Sequence, residues 1–77
     1  MYVILKENDV NKLSNGTITL IGKPNEVTVY AVYVGFFVPN TNNFYVHMTF
    51  DNDKNSHTAP LTKAENLVSY LNGGVKN

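Results

Sequence analysis

The sequence predicts an α+β fold: an antiparallel β-meander of three to four strands with a C-terminal helix packed on one face. Three observations support this prediction. Residues 27–38 form a nearly unbroken apolar run, residues 44–50 alternate between apolar and polar, and residues 61–74 repeat apolar residues at helical spacing. The 77 residues suffice for a single small domain spanning 1–77, in which the margin of stability is thin.

The N-terminal part predicts a strand, a short helix and a second strand. Tyr2–Lys6 is apolar enough for a short strand, and the polar residues that follow can cap a brief helix over residues 8–14. Asn15-Gly16 then ends this helix. An irregular connection with Asn15-Gly16 as a hairpin turn is the alternative. Thr17–Ile21 alternates and predicts the second strand.

The third and fourth predicted strands carry most of the apolar surface. In Val27–Val38 every residue except Thr28 and Gly35 is apolar or aromatic, so both faces of this strand require cover. Phe44–Phe50 alternates cleanly and predicts the fourth strand. Turn-forming residues separate these segments, which predicts that strands two, three and four are antiparallel neighbours.

The C-terminal segment predicts a helix over residues 61–74. Thr62 and Glu65 have the spacing of a capping box, and Gly73 stands where a left-handed residue ends a helix. One apolar stripe runs along this helix at the period of 3.6 residues and consists of Leu61, Ala64, Leu67, Val68 and Leu71.

The stripe is expected to cover an inner sheet face, on which Ala31 and Gly35 leave room for the helix. The expected inner face comprises Ile18, Leu20, Val27, Val29, Ala31, Tyr33, Phe37, Phe44, Val46, Met48 and Phe50. The opposite, outer face then has no cover unless loops or the N-terminal segment fold over it. Large exposed aromatic surface marks interfaces. We therefore predict a partner-binding site formed by Tyr30, Val32, Val34, Phe36, Tyr45 and His47.

Composition excludes several classes of partner. Six lysines balance six acidic residues and there is no arginine, so the sequence lacks a basic stripe and the commonest base-reading side chain. Direct binding of nucleic acid is not expected. The longest apolar run holds twelve residues, short of the ~20 that span a bilayer. With no cysteine and no recognisable secretion signal, the sequence predicts a cytoplasmic protein without membrane contact.

No motif predicts chemistry. Asp51, Asp53 and Asn55 resemble the start of a calcium loop, but Ser56 and Thr62 stand where glycine and glutamate are needed. The two histidines, His47 and His57, have no cysteine to complete a zinc site. No serine lies in a nucleophile elbow and no glycine-rich loop precedes a helix. The sequence therefore predicts no enzyme, no metal and no cofactor.

The twelve asparagines and the exclusive use of lysine give a composition that resembles small accessory proteins of phages and mobile elements in low-GC bacteria. This resemblance implies a protein that binds and inhibits a host or defence protein in the host cell, as anti-CRISPR proteins do. Self-association into a homodimer through the outer face is also expected. Two alternatives are a homo-oligomeric binder of a small ligand, with Tyr30, Tyr45 and His47 lining its pocket, and a structural subunit of a virion or element.

Overall fold

The computed structural model describes residues 1–10, 18–51, 56 and 58–73. The sheet has the strand order β1-β3-β4-β2, and helix α1 packs on one of its faces. This arrangement confirms the α+β class and the C-terminal helix. The elements are β1 (Val3–Lys6), a single 3-10 turn (Glu7–Asp9), β2 (Thr19–Ile21), β3 (Val32–Phe37), β4 (Asn43–Phe50) and α1 (Thr58–Leu71).

The sheet is mixed rather than a purely antiparallel meander. Strands β1 and β4 flank β3 in antiparallel orientation, whereas β2 pairs with β4 in parallel. The backbone N–H of Thr19 donates to the Asn42 carbonyl at 2.9 Å where this parallel pair begins. The prediction that β2 neighbours β3 was wrong, because residues 22–31 form a connection that carries the chain past β4 instead of a tight hairpin.

Strand β3 is half as long as the predicted strand Val27–Val38. Its first part turns instead: the Ala31 N–H donates to the Thr28 carbonyl at 3.2 Å. The Thr28 N–H and hydroxyl both donate to the Asp51 carboxylate, at 2.8 and 2.5 Å, and tie this turn to the end of β4. The first part of the apolar run therefore packs against the sheet and covers the face opposite the helix. This cover was not predicted from the sequence.

Both faces of the sheet are consequently covered, by different layers. The helix layer is built from Val32, Val34 and Ala64, with flanking contacts from Tyr2, Ile4, Phe50, Leu61, Leu67, Val68 and Leu71. The predicted apolar stripe of the helix is therefore confirmed. The opposite layer consists of Val10, Ile18, Ala31, Tyr33 and Phe44, with Leu5, Leu20, Val27 and Val46 packed against it.

The predicted assignment of the two faces of β3 was inverted. Val32 and Val34, placed on the outer face, are 0% exposed and lie beneath the helix. Tyr33, placed under the helix, lies on the other side, where its hydroxyl donates to the Glu7 carboxylate. Beneath the apolar stripe of α1 that hydroxyl would lack an acceptor, and a buried unsatisfied hydroxyl is costly. The polar tip of Tyr33 explains the choice of face.

A β-bulge divides β4 between the two layers. Val34 pairs with Met48 but the next residue, Gly35, pairs with Val46, so that His47 is the extra residue. Because a bulge changes the alternation of side chains, Phe44 and Val46 pack in the layer opposite the helix. Phe50, by contrast, packs in the helix layer. The expected single face from Phe44 to Phe50 was therefore wrong.

The helix begins three residues before its predicted start. Thr62 lies inside it and donates its hydroxyl to the Thr58 carbonyl at 2.9 Å, so the predicted capping box was wrong. Instead, the Ser56 hydroxyl accepts the Thr58 N–H at 3.0 Å. Gly73, with φ +91°, ends the helix as predicted.

Several predictions fall on residues outside the described ranges. They include most of the helix predicted over residues 8–14, the Asn15-Gly16 turn, Asp53, Asn55 and His57. Within the part of the chain that the structure describes, no helix is long and apolar enough to cross a membrane.

Candidate protein-binding surface

Three aromatic side chains form a line across the sheet, here called the aromatic row: Tyr2, Phe36 and Tyr45. Phe36 pairs with Tyr45 in the β3–β4 register, and Tyr2 continues the β1–β3 register opposite Phe36. The ring centroids of Tyr2 and Phe36 are 5.7 Å apart at 84°, and those of Phe36 and Tyr45 are 5.6 Å apart at 39°. Ile21 pairs with Tyr45 and extends the line onto β2.

The aromatic row lies on the same sheet face as the helix but beyond the part that the helix covers. Val32 and Val34, two and four residues before Phe36 on β3, are fully covered. Phe36 and Tyr45 remain 38% and 42% exposed. Aromatic pairs at these distances contribute ~0.5–1.5 kcal/mol beyond their burial. The row therefore presents rings that are partly exposed yet held by one another.

His47 joins the aromatic row, and the bulge in β4 adds Met48 to the same face. The ring centroid of His47 lies 5.3 Å from that of Tyr2, at an angle of 67°. His47 lies two residues after Tyr45 and shares its face by ordinary strand alternation. Without the extra residue, Tyr45 and Met48 would stand on opposite faces; with it, the exposed Met48 also stands on the face of the row. A bulge that re-aims side chains is a device often found beside functional sites.

The first ring of the row is held through its backbone. Tyr2 precedes β1, and its N–H donates to Asn72 Oδ1 at 2.8 Å. In return, Asn72 Nδ2 donates to the Tyr2 carbonyl at 2.8 Å. We call this pair of hydrogen bonds the Asn72 clamp. It joins the residue after α1 to the residue before β1 and thereby fixes one end of the aromatic row against the helix terminus.

The side chains of the aromatic row and of its apolar neighbours carry no carboxylate or ammonium group. No Asp, Glu or Lys belongs to the aromatic row, and Ile21 and Met48 beside it are apolar. Such a surface offers ring faces, ring edges and two phenol hydroxyls. These groups suit an apolar partner surface with a few hydrogen-bonding groups rather than a charged ligand.

The structure brings together half of the predicted binding residues. Phe36 contacts Tyr45, and His47 contacts Tyr2 at the end of the same row, but the row lies on the face of the helix and not on the opposite face as expected. Val32 and Val34 are buried under the helix, so neither side chain can contact a binding partner while the protein is folded. Tyr30 lies in the turn before β3, at the end remote from Phe36, where its N–H donates to the Thr28 hydroxyl at 3.1 Å.

Sequence reasoning missed Tyr2. Its position in the row depends on the pairing of β1 with β3, which links residues as far apart in the sequence as Val3 and Gly35. The alternation of Tyr2, Ile4 and Lys6 was the one available signal, because it places these residues on a single face of β1. That signal gives the face but not the neighbouring strand.

Groups suited to chemistry are sparse among the described residues. None of them form a cluster of three metal-ligating side chains, and they line no pocket. The Asp51 carboxylate accepts both hydrogen bonds from Thr28 and thus serves the loop. Burial and the Glu7 carboxylate raise the pKa of Tyr33 well above its ordinary value, so this phenol stays protonated at neutral pH.

Comparison of the chain with protein-family models, with curated proteins and with solved structures gave no match.

Proposed function

We propose that the protein acts without catalysis, by binding another protein through the aromatic row. The observation that supports this most directly is the exposure of Phe36 and Tyr45 at the centre of a line of contacting rings. Interface energy concentrates in a few large, rigid side chains, among which tyrosine is enriched. The mutual ring contacts and the Asn72 clamp limit the conformational entropy that binding would cost.

The area of the row defines its part in such an interface. An aromatic side chain has ~150–250 Å² of surface to bury, and about two fifths of it is exposed in Phe36 and in Tyr45. Each ring therefore offers roughly 60–100 Å² of accessible surface to a partner. A stable interface covers ~800 Å² on each partner. The row therefore supplies the central anchor, and the partner must also cover flanking surface such as Met48.

A host or defence protein is the class of partner that we propose, with inhibition in the host cytoplasm as the outcome, as for anti-CRISPR proteins. Small size, zero net charge and the phage-like composition support this class. The uncharged row favours direct docking over imitation of nucleic acid, which would need many carboxylates.

Self-association is the second candidate. Because Val32 and Val34 are covered by the helix, a second copy would have to meet the aromatic row itself. An uncharged row can face its own copy across a two-fold axis without repulsion between like charges. Light scattering over a tenfold range of protein concentration tests this arrangement: a rising mass supports a dimer, and a constant monomer mass contradicts it.

A small-ligand pocket built from Tyr30, Tyr45 and His47 has less support, and so does a virion subunit that stacks through open sheet faces. Tyr30 lies before the first residue of β3, whereas Tyr45 pairs near its last residues, so the three side chains do not converge within one chain. Open faces for stacking are also limited, because both sides of the sheet carry a packed layer.

The test compares Phe36→Ser and Tyr45→Ser with the exposed helix control Glu65→Ala. Each tagged protein is used to capture partners from a bacterial lysate, and the affinity of each variant for the purified partner is then measured. Removing an anchor should weaken binding by at least ~1–2 kcal/mol, or roughly five- to thirtyfold, while the control binds normally. Melting curves must show that the variants are folded. Folded serine variants with unchanged affinity would refute the proposal.

A further inference from the structure

The end of helix α1 carries a sequence with its own chemistry. Asn72 is exposed and is followed by Gly73. Asparagine followed by glycine is the dipeptide most prone to spontaneous deamidation, because glycine has no side chain to obstruct attack by its backbone nitrogen. We propose that Asn72 is a site of spontaneous deamidation and that the Asn72 clamp controls its rate.

The reaction requires no enzyme or cofactor. The deprotonated backbone nitrogen of Gly73 attacks Cγ of Asn72, the bond from Cγ to Nδ2 breaks, and ammonia leaves. Water then opens the cyclic imide at either carbonyl and yields aspartate or isoaspartate. The balance is one water consumed and one ammonia released. The site is open: even a Cβ added to Gly73 would meet no atom within 4 Å.

The folded structure restrains both reacting groups. The carboxamide of Asn72 is held at both of its polar atoms by the backbone of Tyr2, at 2.8 Å each. The attacking N–H of Gly73 donates to the Tyr70 carbonyl at 3.3 Å. Attack therefore requires the helix end to open, and helix ends are where native proteins open most readily. The rate of deamidation in the folded protein is therefore proportional to the fraction of molecules in which the clamp is open.

Once formed, the product cannot close the clamp again. A carboxylate at position 72 has no N–H to donate to the Tyr2 carbonyl and places negative oxygen beside that carbonyl oxygen. The new charge also stands directly after Leu71, the last helical residue, where the helix dipole disfavours anions. Deamidation is therefore a one-way release of the first strand from the helix terminus.

One consequence rests on the proposed function: the release frees Tyr2 at the end of the aromatic row and adds a negative charge beside it, so binding of an apolar partner should weaken. The modification itself is independent of any partner. Peptide mass analysis reads the modification and a binding curve reads the consequence, so failure of one is distinguishable from failure of the other.

The experiment incubates the folded protein at mildly alkaline pH and follows the peptide that contains Asn72 by mass spectrometry, with isoaspartate resolved chromatographically. Tyr2→Pro removes the N–H that Asn72 accepts, and Tyr2→Ala is the matched control, which loses the same ring but keeps the backbone donor. Conversion in the proline variant should be roughly tenfold faster than in the alanine variant, since loss of about 1.4 kcal/mol of hydrogen bonding shifts an equilibrium tenfold.

Conversion of the urea-unfolded chain provides the unrestrained rate, and folded wild-type protein should be slower than this reference. Equal rates in the folded wild-type protein and the unfolded chain would overturn control by the clamp, even if the proline variant did not fold. No conversion at Asn72 in the unfolded chain, under conditions that convert Asn15 before Gly16, would overturn the site itself.

Discussion

Substitution of Gly35 by alanine should be the most damaging single-methyl change in the described sheet. A Cβ at this position would overlap the carbonyl oxygen of Tyr45 and lie 2.7 Å from Cε1 of Phe44. The ring of Phe44 lies against the backbone of β3 at the bulge, and only the missing side chain permits this approach. The obstacle on β4 is backbone, so no change of rotamer relieves it.

The expected cost follows from these contacts. Overpacking a core costs ~1–3 kcal/mol. Separation of β3 from β4 at the bulge would add about 1 kcal/mol for a weakened ladder hydrogen bond. A total of about 2–4 kcal/mol is then expected, against an unfolding free energy of roughly 4–12 kcal/mol for a chain of this length. Gly35→Ala should therefore lower the unfolding free energy by a substantial fraction, and by all of it if the domain lies at the low end of that range.

Urea denaturation followed by circular dichroism measures this difference. Gly73→Ala is the control, because its Cβ would meet nothing within 4 Å and only the φ of +91° opposes it, at a cost of ~1–2 kcal/mol. Adding Phe44→Leu to Gly35→Ala should not restore stability, since the clash with the Tyr45 carbonyl persists. A Gly35→Ala protein within 1 kcal/mol of wild type would contradict the described approach of the two strands.

Two further outcomes concern the layers on either side of the sheet. Leu67→Ala should lower the unfolding free energy by ~1–3 kcal/mol in urea titrations, less than for a fully buried leucine because Leu67 is half-buried, whereas Glu65→Ala should stay within ~0.5 kcal/mol of wild type. Equal stability of the two variants would contradict the packing of α1. Because the pKa of Tyr33 is raised, the contribution of this residue to stability should be constant below the ordinary tyrosine pKa of about 10 and should fall as the pH rises above it, by about 1.4 kcal/mol per pH unit. This loss should be reduced in Tyr33→Phe; an identical alkaline loss in both proteins would show that another group is responsible.

The helix was predictable because its signals are local. A stripe repeating at 3.6 residues and a glycine after the last turn both act within one element, and the structure bears out both. Its start was less predictable, since Thr62 with Glu65 imitates a cap that Ser56 helps to provide two residues before Thr58.

The sheet was predictable only in part, because its order and faces depend on distant contacts. An unbroken apolar run fits either face, and the acceptor at Glu7 that settles the position of Tyr33 is 26 residues away. The bulge at His47 has no marker in the sequence, yet it divides Phe44 from Phe50 and places Met48 on the face of the aromatic row. Phe36 and Tyr45 could be predicted from the aromatic residues of β3 and β4. Tyr2 could not, because its place in the row depends on the pairing of β1 with β3.

The aromatic row as a docking surface is tested most directly by site-specific photocrosslinking. A photoreactive phenylalanine analogue replaces Tyr45 in the row or, as a matched control, Tyr70, which is 59% exposed on the helix and thus more accessible. Irradiation in bacterial lysate should give one dominant adduct from position 45. That adduct should diminish when Phe36→Ser is added or when unlabelled wild-type protein competes, and position 70 should give little. An equal or greater yield of the same adduct from position 70, or a yield from position 45 that Phe36→Ser leaves unchanged, would contradict docking through the aromatic row.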